Sequence, residues 1–139
     1  MSTLVRRHFW PCIRILCEWI NNRKTTITYG ELAERLDLKL AKQEWNGLLD
    51  LIAGKSKREL GNEYDITWIV VYGHGQARGL GRYFSQADAA PGSTFLDPKD
   101  ANQITEYRRK LEVIFQFTYG LKTVEGMTKM VKVPRPAHT

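Results

Sequence analysis

Hydrophobic side chains recur at three- and four-residue steps from Leu4 to Asn22, where they form one stripe along an otherwise polar segment. That spacing predicts an amphipathic helix with one buried side. Pro11 is expected in its first turn, where the missing N–H costs nothing, so the regular helix would begin near Trp10. The polar sequence NNRKTT then ends the pattern.

A short second helix is predicted from the sequence TYGELAERL, which begins at Thr28. Its first residues match a capping box, in which the Thr28 hydroxyl accepts a hydrogen bond from the Glu31 amide and the Glu31 carboxylate accepts one from the Thr28 amide. Leu32 and Leu36 follow one turn apart and are expected to face the core. The sequence therefore indicates a well-capped helix of about two turns.

A third helical stripe runs from Lys39 to about Ile52 and has a polar outer side. The residues on that side are Lys39, Lys42, Gln43, Asn46 and Asp50. Two short helices joined by a tight turn, the second with a polar outer side, are typical of a helix-turn-helix motif, here over 28–53. The polar segment that follows, up to Asp65, is predicted as a loop or a frayed extra turn of this helix.

A strand is predicted from Ile66 to Tyr72, because this run is almost entirely β-branched and aromatic. The glycine-rich, basic sequence GHGQARGLGRYF follows it and ends in a second apolar pair. A strand, a glycine-rich turn and a second short strand predict a hairpin over 66–84. Placed after a helix-turn-helix, such a hairpin corresponds to the wing of a winged helix.

The last predicted helix spans 98–119, with Asp97 as its N-cap and Pro98 at its first position. The residues beyond Gly120 are basic and end near two prolines, so 121–139 is expected to be a partly disordered tail. The predicted fold is thus α+β: a single winged helix-turn-helix domain over 1–120, flanked by N- and C-terminal helices.

The chain of 139 residues carries a formal net charge of +6, and its 42% hydrophobic content is enough for one core. A basic protein of this size favours polyanionic partners, with nucleic acid first and acidic protein or membrane surfaces next. The apolar run near the N-terminus is interrupted by Arg14 and Glu18 and lacks a cleavage site. We therefore expect a cytoplasmic protein without a membrane segment.

Cofactor chemistry and catalysis find little support in the residue pattern. Cys12 and Cys17 would point about 140° apart on a helix, which is poor geometry for a disulfide, and they fit a reducing compartment. The three histidines are scattered, so no metal or other cofactor is expected. His74, in the glycine-rich loop, is the only isolated candidate for a catalytic base, and a non-enzymatic protein is predicted.

The sequences TITYGELA and GLGRY, in that order around a helix and a strand, resemble the winged-helix DNA-binding domain of O6-alkylguanine-DNA alkyltransferases and alkyltransferase-like proteins. The resemblance implies DNA binding and places Tyr29 against the DNA backbone at a flipped nucleotide. Gln43 stands nearest to the family's duplex-entering arginine. The family's Pro-Cys-His-Arg acceptor motif is missing around DITWIVV, so alkyl transfer is excluded.

The predicted nucleic-acid contacts come from two segments. Lys39, Lys42, Gln43 and Asn46 would read base edges in the major groove, since lysine reaches guanine and the amides can bind adenine. Arg78 and Arg82 would contact phosphates from the glycine-rich turn, with Tyr29 on the backbone. The plainer interpretation of the first group is a solvated helix side, and of the second a flexible hairpin loop.

Three functions remain open from the sequence. The first is a non-catalytic DNA-binding winged-helix protein that acts as a regulator or as an alkyltransferase-like recognition protein. The second is a small protein-interaction module, such as a phage or mobile-element inhibitor of a nucleic-acid-processing defence complex, with the terminal helices available for a protein partner or a homodimer. The third is an accessory subunit of a nuclease that recognises a modified base.

Overall fold

The computed structural model describes residues 3–75, 78–85 and 98–136. Within these ranges, helices and two small sheets pack around one hydrophobic core, which confirms the predicted α+β class. The α-helices are α1 (Thr3–Arg23), α2 (Tyr29–Leu36), α3 (Lys42–Leu60) and α4 (Ala101–Ile114). The strands are β1 (Ile27–Thr28), β2 (Val70–Val71), β3 (Phe117–Val124) and β4 (Met127–Pro134).

The first helix is longer than predicted, because it begins at Thr3 and contains Pro11 in its interior. The expectation that regular helix starts near Trp10 is therefore wrong. Pro11 lies on the exposed side, where water can bind the carbonyl that the proline leaves without an N–H partner. The buried stripe of α1 includes Ile13, Leu16 and Ile20, all fully inaccessible to solvent.

The predicted capping box at α2 is confirmed. The Thr28 hydroxyl accepts from the Glu31 amide at 3.0 Å, and the Glu31 carboxylate accepts from the Thr28 amide at 3.1 Å. Asp37 then ends the helix in the left-handed conformation, with φ 51°. Residues 37–41 then lead into α3, while α2 itself packs mainly on α1 and β1. The packing of α2 against α3 as a helix-turn-helix therefore stays a prediction.

The loop or frayed extra turn predicted after Ile52 is instead regular helix for about two more turns, because α3 continues to Leu60. The apolar stripe continues through Ala53 and Leu60, both buried, while charged side chains lie between them on the outer side. Ser56 is also buried, and its hydroxyl donates to the Tyr64 carbonyl at 2.6 Å and accepts from the Ile66 amide at 3.1 Å. Because its hydroxyl makes both of these hydrogen bonds, Ser56 can be buried within the extended helix.

The strand predicted over Ile66 to Tyr72 is mostly a 3₁₀ turn (Ile66–Ile69), and only Val70–Val71 form strand β2. The Asp65 carboxylate caps this turn by accepting from the Thr67 amide at 2.9 Å. Every residue from 65 to 71 is buried. The largely apolar run therefore reflects burial on all sides and does not indicate a long strand. The strand β2 pairs in parallel with β1.

The hairpin predicted over 66–84 is also wrong for the described residues, since Val71 and Gly81 form only an isolated antiparallel bridge. Another 3₁₀ turn, Arg82–Ser85, takes the place of the second strand. Antiparallel pairing occurs instead between β3 and β4, with Tyr119 opposite Lys132 and Leu121 opposite Met130.

The C-terminal half differs from the prediction at both ends of its helix. Asp97 lies outside the described residues, and the N-cap of α4 is Asp100, whose carboxylate accepts from the amides of Asn102 and Gln103. The helix ends at Ile114 instead of residue 119. The residues expected in a partly disordered tail form the end of β3 and all of β4 as far as residue 134, while 137–139 lie outside the described ranges.

Contacts between the β3–β4 hairpin and the core explain why the segment predicted as a tail is folded. Tyr119 and Met130 are buried against the core, and the Tyr119 hydroxyl donates to the Ile114 carbonyl at 2.7 Å. The Arg135 guanidinium donates to the carbonyls of Ile20, Asn21 and Phe115, which ties the end of β4 to the C-terminus of α1. None of the described helices has the length and apolar character needed to cross a bilayer.

Candidate nucleic-acid interface

The polar residues predicted to meet DNA lie at the start of α3. Lys42 and Gln43 occupy its first two positions and are exposed, and Asn46 is partly exposed one turn later. Lys39 is exposed as well, but it lies in the turn before α3 and not on the helix. The structure therefore brings these side chains to one end of the helix pair, on its outer side.

An aromatic pocket of about 360 Å³ lies beside these residues, between α2, α3 and the segment after β2. The Tyr29 ring lies 5.9 Å from the Trp45 ring and 5.3 Å from the Tyr72 ring, measured between centroids. Lys42, Asn46 and Leu40 complete the lining. The pocket thus combines flat apolar walls with one amine and one amide, a composition that suits a planar ring carrying hydrogen-bonding groups.

The Tyr29 hydroxyl stays protonated over the whole physiological range. Burial raises the pKa of Tyr29 to about 12, and the neighbouring Tyr72 and Asp50 act in the same direction. Arg82 and a hydrogen bond with Ser85 lower that pKa by less. Tyr29 therefore offers a neutral hydroxyl and a ring surface, and does not add negative charge to a surface that would meet phosphate.

Tyr72 is held in place by the backbone of the glycine-rich loop. Its amide donates to the Leu80 carbonyl at 2.9 Å, and its carbonyl accepts from the Gly79 amide at 3.0 Å. Arg78 pairs with Tyr72 in an isolated bridge and is exposed, so this predicted phosphate contact lies on the segment that supports the pocket wall. Gly79 has a φ of 80°, a conformation that permits this return of the chain.

The location predicted for Arg82 is wrong, because its side chain is completely buried. A guanidinium nitrogen of Arg82 lies 2.6 Å from an Asp50 carboxylate oxygen, an ion-pair distance without hydrogen-bond alignment. The Nε atom donates to the Thr67 hydroxyl at 3.3 Å. Arg82 therefore anchors the 3₁₀ turn to α3 and cannot reach a phosphate in this conformation. Asp50, expected on the outer side, serves as its partner.

Acidic groups limit how far the basic surface extends. Glu34 and Asp37 line a groove of about 470 Å³ beside α2, and Lys39 is the one cation among its lining residues. Glu44 lies near Lys42, but its carboxylate accepts weakly from the Ala41 amide at 3.4 Å and so caps α3. Anionic ligands would therefore be favoured on the side of Lys42 and Arg78 and disfavoured along α2.

Sequence reasoning missed two walls of the pocket. Trp45 fits the apolar stripe of α3, which predicts a core residue, yet it is both largely buried and part of the pocket lining. Tyr72 is predicted as the last residue of a strand, whereas its partly exposed ring forms a wall of the pocket. His74 lies exposed on that turn. The described residues contain no cluster of metal-binding side chains.

Comparison of the chain with protein-family models, with curated proteins and with solved structures finds no match. The similarity to the alkyltransferase DNA-binding domain therefore remains a prediction from the residues quoted above.

Proposed function

We propose that this chain is a non-catalytic DNA-binding protein related to the winged-helix type, although the described residues of 66–84 form no wing hairpin, and that it presents the start of α3 and the adjoining aromatic pocket to the duplex. One observation carries the proposal: Lys42, Gln43 and Asn46 are accessible at the start of α3, beside an aromatic pocket. A helix of 19 residues is long enough to lie across a major groove. The net charge of +6 supplies the long-range attraction.

Each group has a role that fits its chemistry. Lys39, Lys42 and Arg78 would neutralise phosphates, and Gln43 and Asn46 would pair with base edges. The pocket formed by Tyr29, Trp45 and Tyr72 would receive a thymine methyl group or an unpaired base, because ring walls stack on any base. Such a pocket supports recognition of an altered or extruded base, the alkyltransferase-like form of the function.

The test is duplex binding measured by fluorescence anisotropy over a range of salt concentrations. Replacing both Lys39 and Lys42 with alanine is expected to weaken binding about tenfold or more near physiological salt, and to reduce the slope of log affinity against log salt by about 2. The reason is that two phosphate contacts, and the counterions they release, would be lost.

A matched control removes the same charge elsewhere. Arg58 is exposed on α3 about 24 Å from Lys42 along the helix axis, and Arg108 is exposed on α4. Replacing these two arginines with alanine should change the affinity and the salt slope much less. Equal losses in the two double variants would show that charge alone, and not this surface, governs binding, and would contradict the proposal.

A second function, the protein-interaction module, is favoured by a different observation. Large apolar side chains are exposed on the β3–β4 hairpin, which contacts the C-terminal half of α3, and they are Val124, Met127 and Val133. A phage or mobile-element regulator of a nucleic-acid-processing complex would need such a surface for its target.

A further inference from the structure

The β3–β4 hairpin has two unlike faces. Tyr119, Leu121 and Met130 alternate on the inner face and pack on the core. The other set of alternating positions forms what we call the outer face of the hairpin. It consists of the cross-strand pairs Thr118–Val133, Gly120–Val131, Lys122–Lys129 and Val124–Met127.

Each edge of the hairpin is covered in part by side chains from the helices beneath it. The Asn21 amide group donates to the Tyr119 carbonyl and its oxygen accepts from the Tyr119 amide, each at 2.8 Å, on the β3 edge. On the β4 edge, the Glu59 carboxylate accepts from the Met130 amide at 2.7 Å and Lys55 donates to the Thr128 carbonyl at 3.1 Å. A partner therefore cannot add a strand at these positions.

That outer face is apolar over much of its area. Met127 is 62% exposed, Val133 59% and Val124 46%, and these are among the few large hydrophobic side chains exposed in the described part of the chain. Val131 is partly buried between them and the other strand. Placing several such side chains on one short hairpin leaves an apolar surface next to water, which is typical of a contact surface.

Lys122 and Lys129 lie directly opposite one another at the centre of this face. Like charges in such a cross-strand pair repel, so the pair destabilises the isolated hairpin. The positive charge of Lys129 acts on the Glu59 carboxylate, but that carboxylate already accepts hydrogen bonds from Lys55 and from the Met130 amide. An acidic group from outside the chain would offset the repulsion between the two lysines.

Gly120 is a second, independent indication that the outer face is a contact surface. A Cβ atom at this position would meet no atom within 4 Å, and the residue does not have a positive φ. Neither space nor conformation within the chain requires a glycine, although glycine weakens a strand. Its absent side chain leaves a flat area opposite Val131, where another backbone can approach closely. Gly120 also borders a groove of about 250 Å³ that includes Arg14 and Asn21 of α1.

We propose that the outer face of the β3–β4 hairpin binds a partner protein through a segment that combines apolar side chains with a carboxylate. The carboxylate lies between Lys122 and Lys129, and the apolar side chains pack on Val133, Met127 and the flat area at Gly120. A second copy of this chain fits poorly, because face-to-face contact would bring the two lysine pairs together. Nucleic acid fits poorly too, because the surrounding valines and methionine offer no donors to phosphate.

This inference does not depend on DNA binding by α2 and α3, and the experiment separates the two. A random peptide library displayed on phage is selected against the full chain, and synthetic versions of the selected peptides are measured by anisotropy. The selected peptides are expected to share apolar residues around Asp or Glu. Their affinity should fall about tenfold or more for the double variant Lys122→Glu/Lys129→Glu, because attraction becomes repulsion.

Two further variants make the result specific. Val133→Ser keeps every charge and should still weaken binding several-fold, because the apolar contact is lost. Arg58→Glu/Arg108→Glu makes the same change in net charge away from the hairpin and should leave peptide affinity within about twofold. Duplex binding should be much less affected by Val133→Ser than by loss of Lys39 and Lys42. Circular dichroism of each variant checks that it is folded.

Several results would overturn the proposal. One is a selection that produces no peptide whose affinity depends on the outer face, or produces peptides without acidic residues. Another is self-association of the chain that Val133→Ser abolishes, since the occupant would then be a second copy. A third is binding of duplex DNA or anionic vesicles that depends on Lys122 and Lys129 and is unaffected by Val133→Ser.

Discussion

Replacing Gly81 with alanine is expected to lower the free energy of unfolding by about 3 kcal/mol. The added Cβ atom would lie 2.7 Å from the Cα atom of Val71 and 2.8 Å from the carbonyl oxygen of Val70. Both are backbone atoms of β2, which pairs with β1 inside the core, so neither can move aside cheaply. Urea unfolding followed by tryptophan fluorescence measures the change.

Gly47→Ala serves as the control, because it adds the same methyl group to the chain. A Cβ atom at Gly47, within α3, meets nothing within 4 Å, and alanine is the better helix former. This variant should be more stable than the parent by about 0.5–1 kcal/mol. If both variants unfold at the same urea concentration, the glycine-rich loop does not pack against β2 as described.

Removing the carboxylate of Asp50 is the second change with a large expected effect. Asp50→Ala should cost about 3 kcal/mol, because it leaves the buried Arg82 guanidinium without its nearest anion. The expected loss is at the low end for a buried pair, since the Asp50 side chain is 35% exposed and the Asp65 carboxylate also interacts electrostatically with Arg82. The measurement is again the free energy of unfolding in urea.

A double-mutant cycle isolates the interaction between Asp50 and Arg82. In an Arg82→Met background, the side chain at 82 carries no charge, so losing Asp50 should cost less than about 1 kcal/mol. Glu112→Ala, an exposed carboxylate removed from α4, should have almost no effect in either background. An equal cost for Asp50→Ala with and without Arg82 would mean that the pair does not hold the 3₁₀ turn to α3.

Local signals in the sequence predicted the start and the buried side of α2 well. The capping box at Thr28 and the positions of Leu32 and Leu36 depend only on neighbouring residues, and both agree with the structure. The exposed positions of Lys42 and Gln43 follow from the same helical period. These features were predictable because residues within one or two turns determine them.

The remaining errors come from contacts between residues distant in sequence. The run from Ile66 has strand-forming residue types, but distant parts of the chain bury it on all sides, and most of it forms a 3₁₀ turn. The composition of the basic C-terminal segment is typical of a disordered tail. In the structure, Tyr119 and Met130 are buried in the core and Asn21 binds the β3 edge. Arginine is usually a surface residue, and only the ion pair with Asp50 on α3 explains why Arg82 is buried. Periodicity alone does not contain this information.

The two proposed surfaces lie on different elements, which allows one chain to join two partners. Lys42 and the aromatic pocket belong to α2, α3 and the loop after β2, whereas Lys122 and Lys129 belong to the hairpin. A DNA-binding protein with a separate protein-docking face would act as an adaptor that brings its partner to a nucleic acid. The regulator role and the interaction-module role would then be two parts of one function.

The most direct measurement of the central claim is a map of backbone amide chemical shifts by NMR as duplex DNA is added. The account predicts that the largest changes occur in residues 39–46, in the side-chain amide of Asn46, and around Tyr29, Tyr72 and Arg78. Changes confined to β3, β4 or α4, with residues 39–46 unaffected, would contradict it.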